Sequence, residues 1–127
     1  MSFKKGYLWH TQLPTEMAGY DLKQIEEIAM GDQDFVKELL STLITSFEEV
    51  AEQIRSGLGQ SDFASVGHLA HKIKPSLIML NTSLKDEAIE IEHIGKSGNY
   101  DASFGDRVST FLSELETLTG SLRQVTV

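Results

Sequence analysis

His71 is the residue of this chain best suited to chemistry. A helix turns by roughly 100° per residue, so apolar residues near His71 would form one stripe, and His71 would point away from it toward solvent. A neutral imidazole keeps a free lone pair near pH 7. The spacing therefore predicts an exposed nucleophile, with Lys74 one turn away and able to neutralise an anion on the ring. The residues of the stripe are Phe63, Val66, Ala70, Ile73, Leu77 and Leu80.

The surface expected around His71 could admit a folded partner. Pro75 removes the N–H that would bond to the His71 carbonyl, which predicts a local kink. Leu77 and Leu80 continue the apolar stripe, so the helix is not expected to end before Pro75. Exposed apolar residues often mark transient interfaces. The predicted partner-binding residues are Ala64, Gly67, His68, Lys72, Pro75, Ile78 and Ile89.

Composition limits the partner and the location of the chain. Its 127 residues fit one domain, and the formal net charge of -8 argues against nucleic acid as a partner. There are no cysteines, which excludes disulfides and Cys-based zinc sites. No apolar stretch approaches the length of a membrane span, so we expect a cytoplasmic protein without a membrane partner.

The pattern along the chain predicts an all-α fold. Residues 1–19 are the least patterned and are expected to form an N-terminal arm, and residues 20–127 are expected to form a helical bundle. The predicted architecture is an up-down antiparallel four-helix bundle with a short additional N-terminal helix. Expected helix starts are Asp32, Ser61 or Asp62, a capping box over residues 83–86, and Asp101 or Ser103. The predicted inner stripe of the longest helix is Phe35, Leu39, Leu43, Phe47, Val50 and Ile54.

The segment from Leu69 to Ser76 resembles the motif of the histidine-containing phosphotransfer (HPt) domains. That motif has an alanine, the phospho-accepting histidine, two variable positions, a lysine, a small residue and a serine, and the resemblance covers about residues 20–124. It implies that His71 accepts a phosphoryl group from a receiver-domain phosphoaspartate and passes it to another receiver. Lys74 would stabilise the phosphoryl group. The implied partners are receiver domains of hybrid histidine kinases and response regulators, and the receiver would supply Mg²⁺, since no cofactor of the chain's own is implied.

Two positions depart from the family pattern. Pro75 stands where the family usually has a glycine that allows the partner's backbone to approach. Family members also commonly place a glutamine of the following helix beside the histidine, and His93 is the candidate for that position here. His93 could donate a hydrogen bond to the phosphoryl group or to His71, and a bystander role stays equally open.

Three alternatives stay open beside the phosphorelay interpretation. The chain could be a helical-bundle interaction protein that binds signalling partners without phosphotransfer. Its surface histidines His68, His71 and His93 could bind a metal together with Glu92, although their outward direction predicts no metal site. His68 could be the acceptor in place of His71. The glycines form no nucleotide-binding loop, so the chain is not expected to be a stand-alone kinase. The HPt resemblance implies a phosphocarrier, and a monomer is expected because phosphotransfer needs only one exposed histidine.

Overall fold

The computed structural model describes residues 19–126, and this part of the chain consists of five α-helices with no β-strand. The predicted all-α class is confirmed. The predicted arm lies outside the described residues apart from Gly19. The helices are α1 (Lys23–Ala29), α2 (Gln33–Gly59), α3 (Phe63–Met79), α4 (Leu84–Ser97) and α5 (Phe104–Thr126).

The boundaries of α1, α2 and α3 follow the local signals in the sequence. Helix α1 is followed by Met30 and Gly31, which have φ values of 54° and 85° and so turn the chain through the left-handed region. The Asp32 carboxylate accepts hydrogen bonds from the first N–H groups of α2, as predicted. Asp62 caps α3 in the same way by accepting from the Ser65 N–H.

The capping box predicted over residues 83–86 is wrong. Ser83 precedes α4 but has helical backbone angles and makes no side-chain capping bond. The buried Thr82 performs this role instead, because its Oγ1 accepts from the Leu84 N–H at 3.2 Å. The cap therefore lies one residue earlier than the sequence pattern indicated.

Four helices pack around one core. Helix α2 contacts α3 and α5, helix α4 contacts the same two helices, and α1 packs against α2. The closest association is between α3 and α4, which positions the residues around His71. Most of the predicted inner stripe of α2 is buried or half-buried, but Phe35 is 41% exposed. Phe35 lies in the first turn of α2, where Val36 occupies the buried position instead.

Length and apolar composition together decide whether a helix can span a bilayer. None of the helices between residues 19 and 126 is both long and apolar enough to cross a membrane.

Candidate functional site

Helix α3 buries one face in the core, and His71 lies outside that face, exposed to solvent. Ala70 and Ile73 beside it are buried, whereas the His71 side chain is 58% exposed. The helix continues through Pro75 to Met79, as the apolar stripe predicted. His71 is therefore an accessible imidazole on a packed, well-positioned helix.

Glu92 of α4 is the direct partner of the His71 ring. The Oε2 atom of Glu92 lies 2.7 Å from Nδ1 of His71. The same carboxylate accepts from two lysines: Lys74 Nζ lies 2.9 Å from Oε1, and Lys96 Nζ lies 3.0 Å from Oε2. We call His71, Lys74, Glu92 and Lys96 the Glu92 cluster.

The two lysines keep Glu92 ionised. Hydrogen bonds from Lys74 and then Lys96 lower the pKa of Glu92 from 4.5 to about 2, against a smaller opposing effect of desolvation. Glu92 is only 15% exposed, so bulk water weakens these interactions less than at an open surface. With one carboxylate and two ammonium groups, the Glu92 cluster has a net positive charge on a chain whose formal charge is -8. The site therefore favours an incoming anion.

The ionised carboxylate also selects the tautomer of His71. A carboxylate without a proton can only accept hydrogen bonds, so Nδ1 of His71 carries the proton in this contact. In a neutral imidazole the other ring nitrogen then holds the free lone pair. The contact therefore leaves Nε2 as the ring nitrogen with a free lone pair, a choice that the sequence alone left undecided.

Two glycines allow α3 and α4 to approach closely beside the Glu92 cluster. A Cβ atom on Gly95 would lie 2.6 Å from the Phe63 carbonyl oxygen and 2.9 Å from Gly67 Cα. Gly67 was predicted on the outer, partner-binding surface, and this is wrong because Gly67 is buried against α4. Its missing side chain makes room for the neighbouring helix of the same chain.

His93 was one candidate for a hydrogen bond to His71, and the structure places Glu92 in that contact. His93 is exposed on α4, one residue and about 100° further around that helix. A sequence signal for Glu92 existed: it lies four residues after Ala88 and next to Ile91, both buried, and thus at the edge of the packed face. The edge position of Glu92 follows from this spacing, but the family resemblance points to His93 as the partner of His71.

The other predicted partner-binding residues are on the surface. Ile78 and Ile89 are 48% and 44% exposed, unusually open for large apolar side chains. Ile89 also lines an open depression of about 470 Å³ together with Glu92, His93, Lys96 and Ser97. The remaining exposed members of the predicted set are Ala64, His68, Lys72 and Pro75.

A metal site in a protein needs several His, Cys, Asp or Glu side chains close together. Between residues 19 and 126 no three His, Cys, Asp or Glu side chains are grouped so that they could hold a metal ion. The Glu92 carboxylate that the metal alternative required is instead bound to two lysines.

Comparison with known proteins gave one result. A family model described as Hpt domain matches residues 38–120, which include α3, α4 and the whole Glu92 cluster. Neither the curated proteins nor the solved structures contained a significant match.

Proposed function

This chain belongs to the Hpt domain family, and we propose that it carries a phosphoryl group between receiver domains on Nε2 of His71. The family acts in phosphotransfer within two-component systems. The residue assignment is our own proposal. The observation that supports it is the 2.7 Å contact between His71 Nδ1 and the ionised Glu92, which leaves the Nε2 lone pair free.

The proposed step is an in-line displacement. The Nε2 lone pair attacks the phosphorus of a receiver phosphoaspartate, the N–P bond forms, and the P–O bond to the aspartate breaks. The released electron pair stays on the aspartate carboxylate. The Nδ1 proton stays on His71, where the ring becomes positively charged while Glu92 accepts its hydrogen bond. Glu92 therefore stabilises the charge that develops as the phosphoryl group arrives.

Lys74 supports this step through Glu92 and through its charge. Its ammonium group is the largest cause of the low Glu92 pKa, so it keeps the carboxylate ionised. It also adds a positive charge one helical turn from His71, where a phosphoryl group would be attached. In this proposal Lys74 stabilises the phosphoryl group in two ways, by keeping Glu92 ionised and by placing a positive charge near His71.

The remaining features of the proposal concern the setting of the reaction. We propose a monomeric, cytoplasmic carrier built as an up-down antiparallel four-helix bundle, whose partners are receiver domains of hybrid histidine kinases and response regulators. The receiver would supply Mg²⁺ for the transfer. Ile78 and Ile89 would contact the receiver beside His71, because both are exposed apolar residues.

Incubation with a labelled phospho-receiver tests the assignment of His71. Wild-type protein should gain a label that is lost in acid and kept in alkali, and His71→Gln should gain none. His68→Gln and His93→Gln are matched controls, because both histidines are exposed and should be dispensable as acceptors. Label on His71→Gln would contradict the assignment. Wild-type protein that binds receivers but is never labelled would favour the interaction-protein alternative.

A further inference from the structure

The two carboxylate oxygens of Glu92 accept three hydrogen bonds in the Glu92 cluster, two at one oxygen and one at the other. Oε2 accepts from both His71 Nδ1 and Lys96 Nζ, whereas Oε1 has Lys74 as its donor. If Lys96 left, both carboxylate oxygens would keep a donor, and Nδ1 of His71 would keep its acceptor. If Lys74 left, Oε1 would lose this hydrogen bond. Lys96 is therefore the cation whose departure disturbs the cluster least.

Lys96 is also the more exposed of the two lysines and already lies near the ring. Its side chain is 38% exposed, against 26% for Lys74. It lies in the last turn of α4, two residues before the left-handed Gly98. Its Nζ and the His71 Nδ1 lie 3.0 and 2.7 Å from one oxygen atom, so the ammonium group is close to the edge of the imidazole.

The charge balance of the site changes when His71 is phosphorylated. A phosphoryl group adds about 1.5 to 2 negative charges at pH 7, of which the positively charged ring offsets about one. The two lysines exceed Glu92 by one positive charge, and both are bound to that carboxylate. A phosphoryl group on Nε2 would therefore attract an ammonium group that can reorient.

From this arrangement, and on the basis of the proposed function, we infer that Lys96 moves from Glu92 to the phosphoryl group on His71. Lys74 stays on Glu92 and keeps it ionised, while Lys96 stabilises the phosphorylated carrier relative to the phosphorylated receiver. Lys96 thus acts as a positioning and charge-compensating residue that adjusts how strongly the chain retains its phosphoryl group. The HPt motif around His71 does not include this residue, because it lies on the next helix.

The equilibrium between phospho-receiver and phospho-carrier tests this inference. Lys96→Ala should shift the partition toward the receiver by about three- to tenfold, the range expected for losing one partly exposed charge-assisted contact. Lys96→Arg should restore most of the partition. Lys37→Ala is the matched control, because Lys37 is exposed on α2 and the same charge is removed outside the Glu92 cluster and the predicted partner-binding surface.

A direct measurement does not depend on any receiver. The phosphoryl donor phosphoramidate can label His71 chemically in a variant whose other histidines, His10, His68 and His93, are changed to Gln. The Lys96 Nζ resonance should then shift on phosphorylation in an NMR experiment, while the Lys74 Nζ resonance stays nearly unchanged. Equal partition for Lys96→Ala and Lys37→Ala, or an unshifted Lys96 resonance, would overturn the inference. Failure of wild-type protein to accept label from receivers would instead overturn the proposed function.

Discussion

Gly67 of α3 and Gly95 of α4 face each other with too little space for a side chain between them. A Cβ atom on Gly95 would lie 2.9 Å from Gly67 Cα and 3.0 Å from Gly67 N, closer than such atoms pack in proteins. Gly95 lies three residues after Glu92, and Gly67 lies four residues before His71. The backbone contact therefore sets how far Glu92 stands from the His71 ring.

Gly95→Ala should destabilise the fold and disturb the site together. The added methyl group meets the Phe63 carbonyl oxygen at 2.6 Å, so α3 and α4 must separate. We expect a loss of about 1–3 kcal/mol in the free energy of unfolding, together with slower phosphotransfer, measured by chemical denaturation and by labelling. Gly120→Ala on α5 is the control, because its Cβ meets nothing within 4 Å and should add up to about 1 kcal/mol of stability. Equal stability of the two variants would contradict the close contact.

Glu92→Gln should slow acceptance of the phosphoryl group without unfolding the protein. Glutamine keeps the shape but loses the charge that supports the protonated Nδ1, so we expect about a three- to tenfold lower transfer rate. Imidazole ¹⁵N shifts should show a weaker preference for the Nδ1–H tautomer. Glu90→Gln makes the same change at an exposed position of α4 and should transfer normally. An unchanged tautomer in Glu92→Gln would refute the role assigned to the carboxylate.

Acid should remove the stabilising contribution of Glu92 at unusually low pH. The folded-state pKa of about 2 lies below the ordinary 4.5, so the ionised group stabilises the fold fully above about pH 4.5. This contribution is lost as the pH falls from about 4.5 through 2, where Glu92 becomes protonated in the native state. Carboxyl ¹³C shifts of Glu92 should titrate in the same low range. A titration midpoint of the Glu92 carboxyl near pH 4.5 would show that the hydrogen bonds from Lys74 and Lys96 do not persist when the protein is in solution.

Ile78→Asp should weaken receiver binding and leave the helix content unchanged. Ile78 is 48% exposed, so a carboxylate there is solvated in the free protein but would be buried beneath a docked partner. We expect about tenfold or greater loss of affinity, measured by titration calorimetry with a receiver domain. Met30→Asp is the control, because Met30 is 90% exposed but lies in the turn between α1 and α2. Equal affinity of Ile78→Asp and wild type would exclude Ile78 from the interface.

The sequence predicted the helices and the exposure of His71 because both depend on local periodicity. Residues three or four apart share a helix face, so the buried Ala70 and Ile73 already place His71 outside the core. The caps at Asp32 and Asp62 were also predictable, since a cap involves only neighbouring residues. Local prediction was wrong by one residue at Phe35 and at Ser83, where Val36 and Thr82 take the expected positions.

The sequence by itself determined that an accessible histidine with a lysine one turn away lies on an amphipathic helix of an all-α, HPt-like chain. The tertiary structure decided which side chain touches that histidine. Glu92 is 21 residues away from His71, and the register between their helices depends on the volumes packed between α3 and α4. There the absence of side chains at Gly67 and Gly95 permits the approach. Periodicity specifies a face within one helix, whereas contact across two helices requires the packing of both.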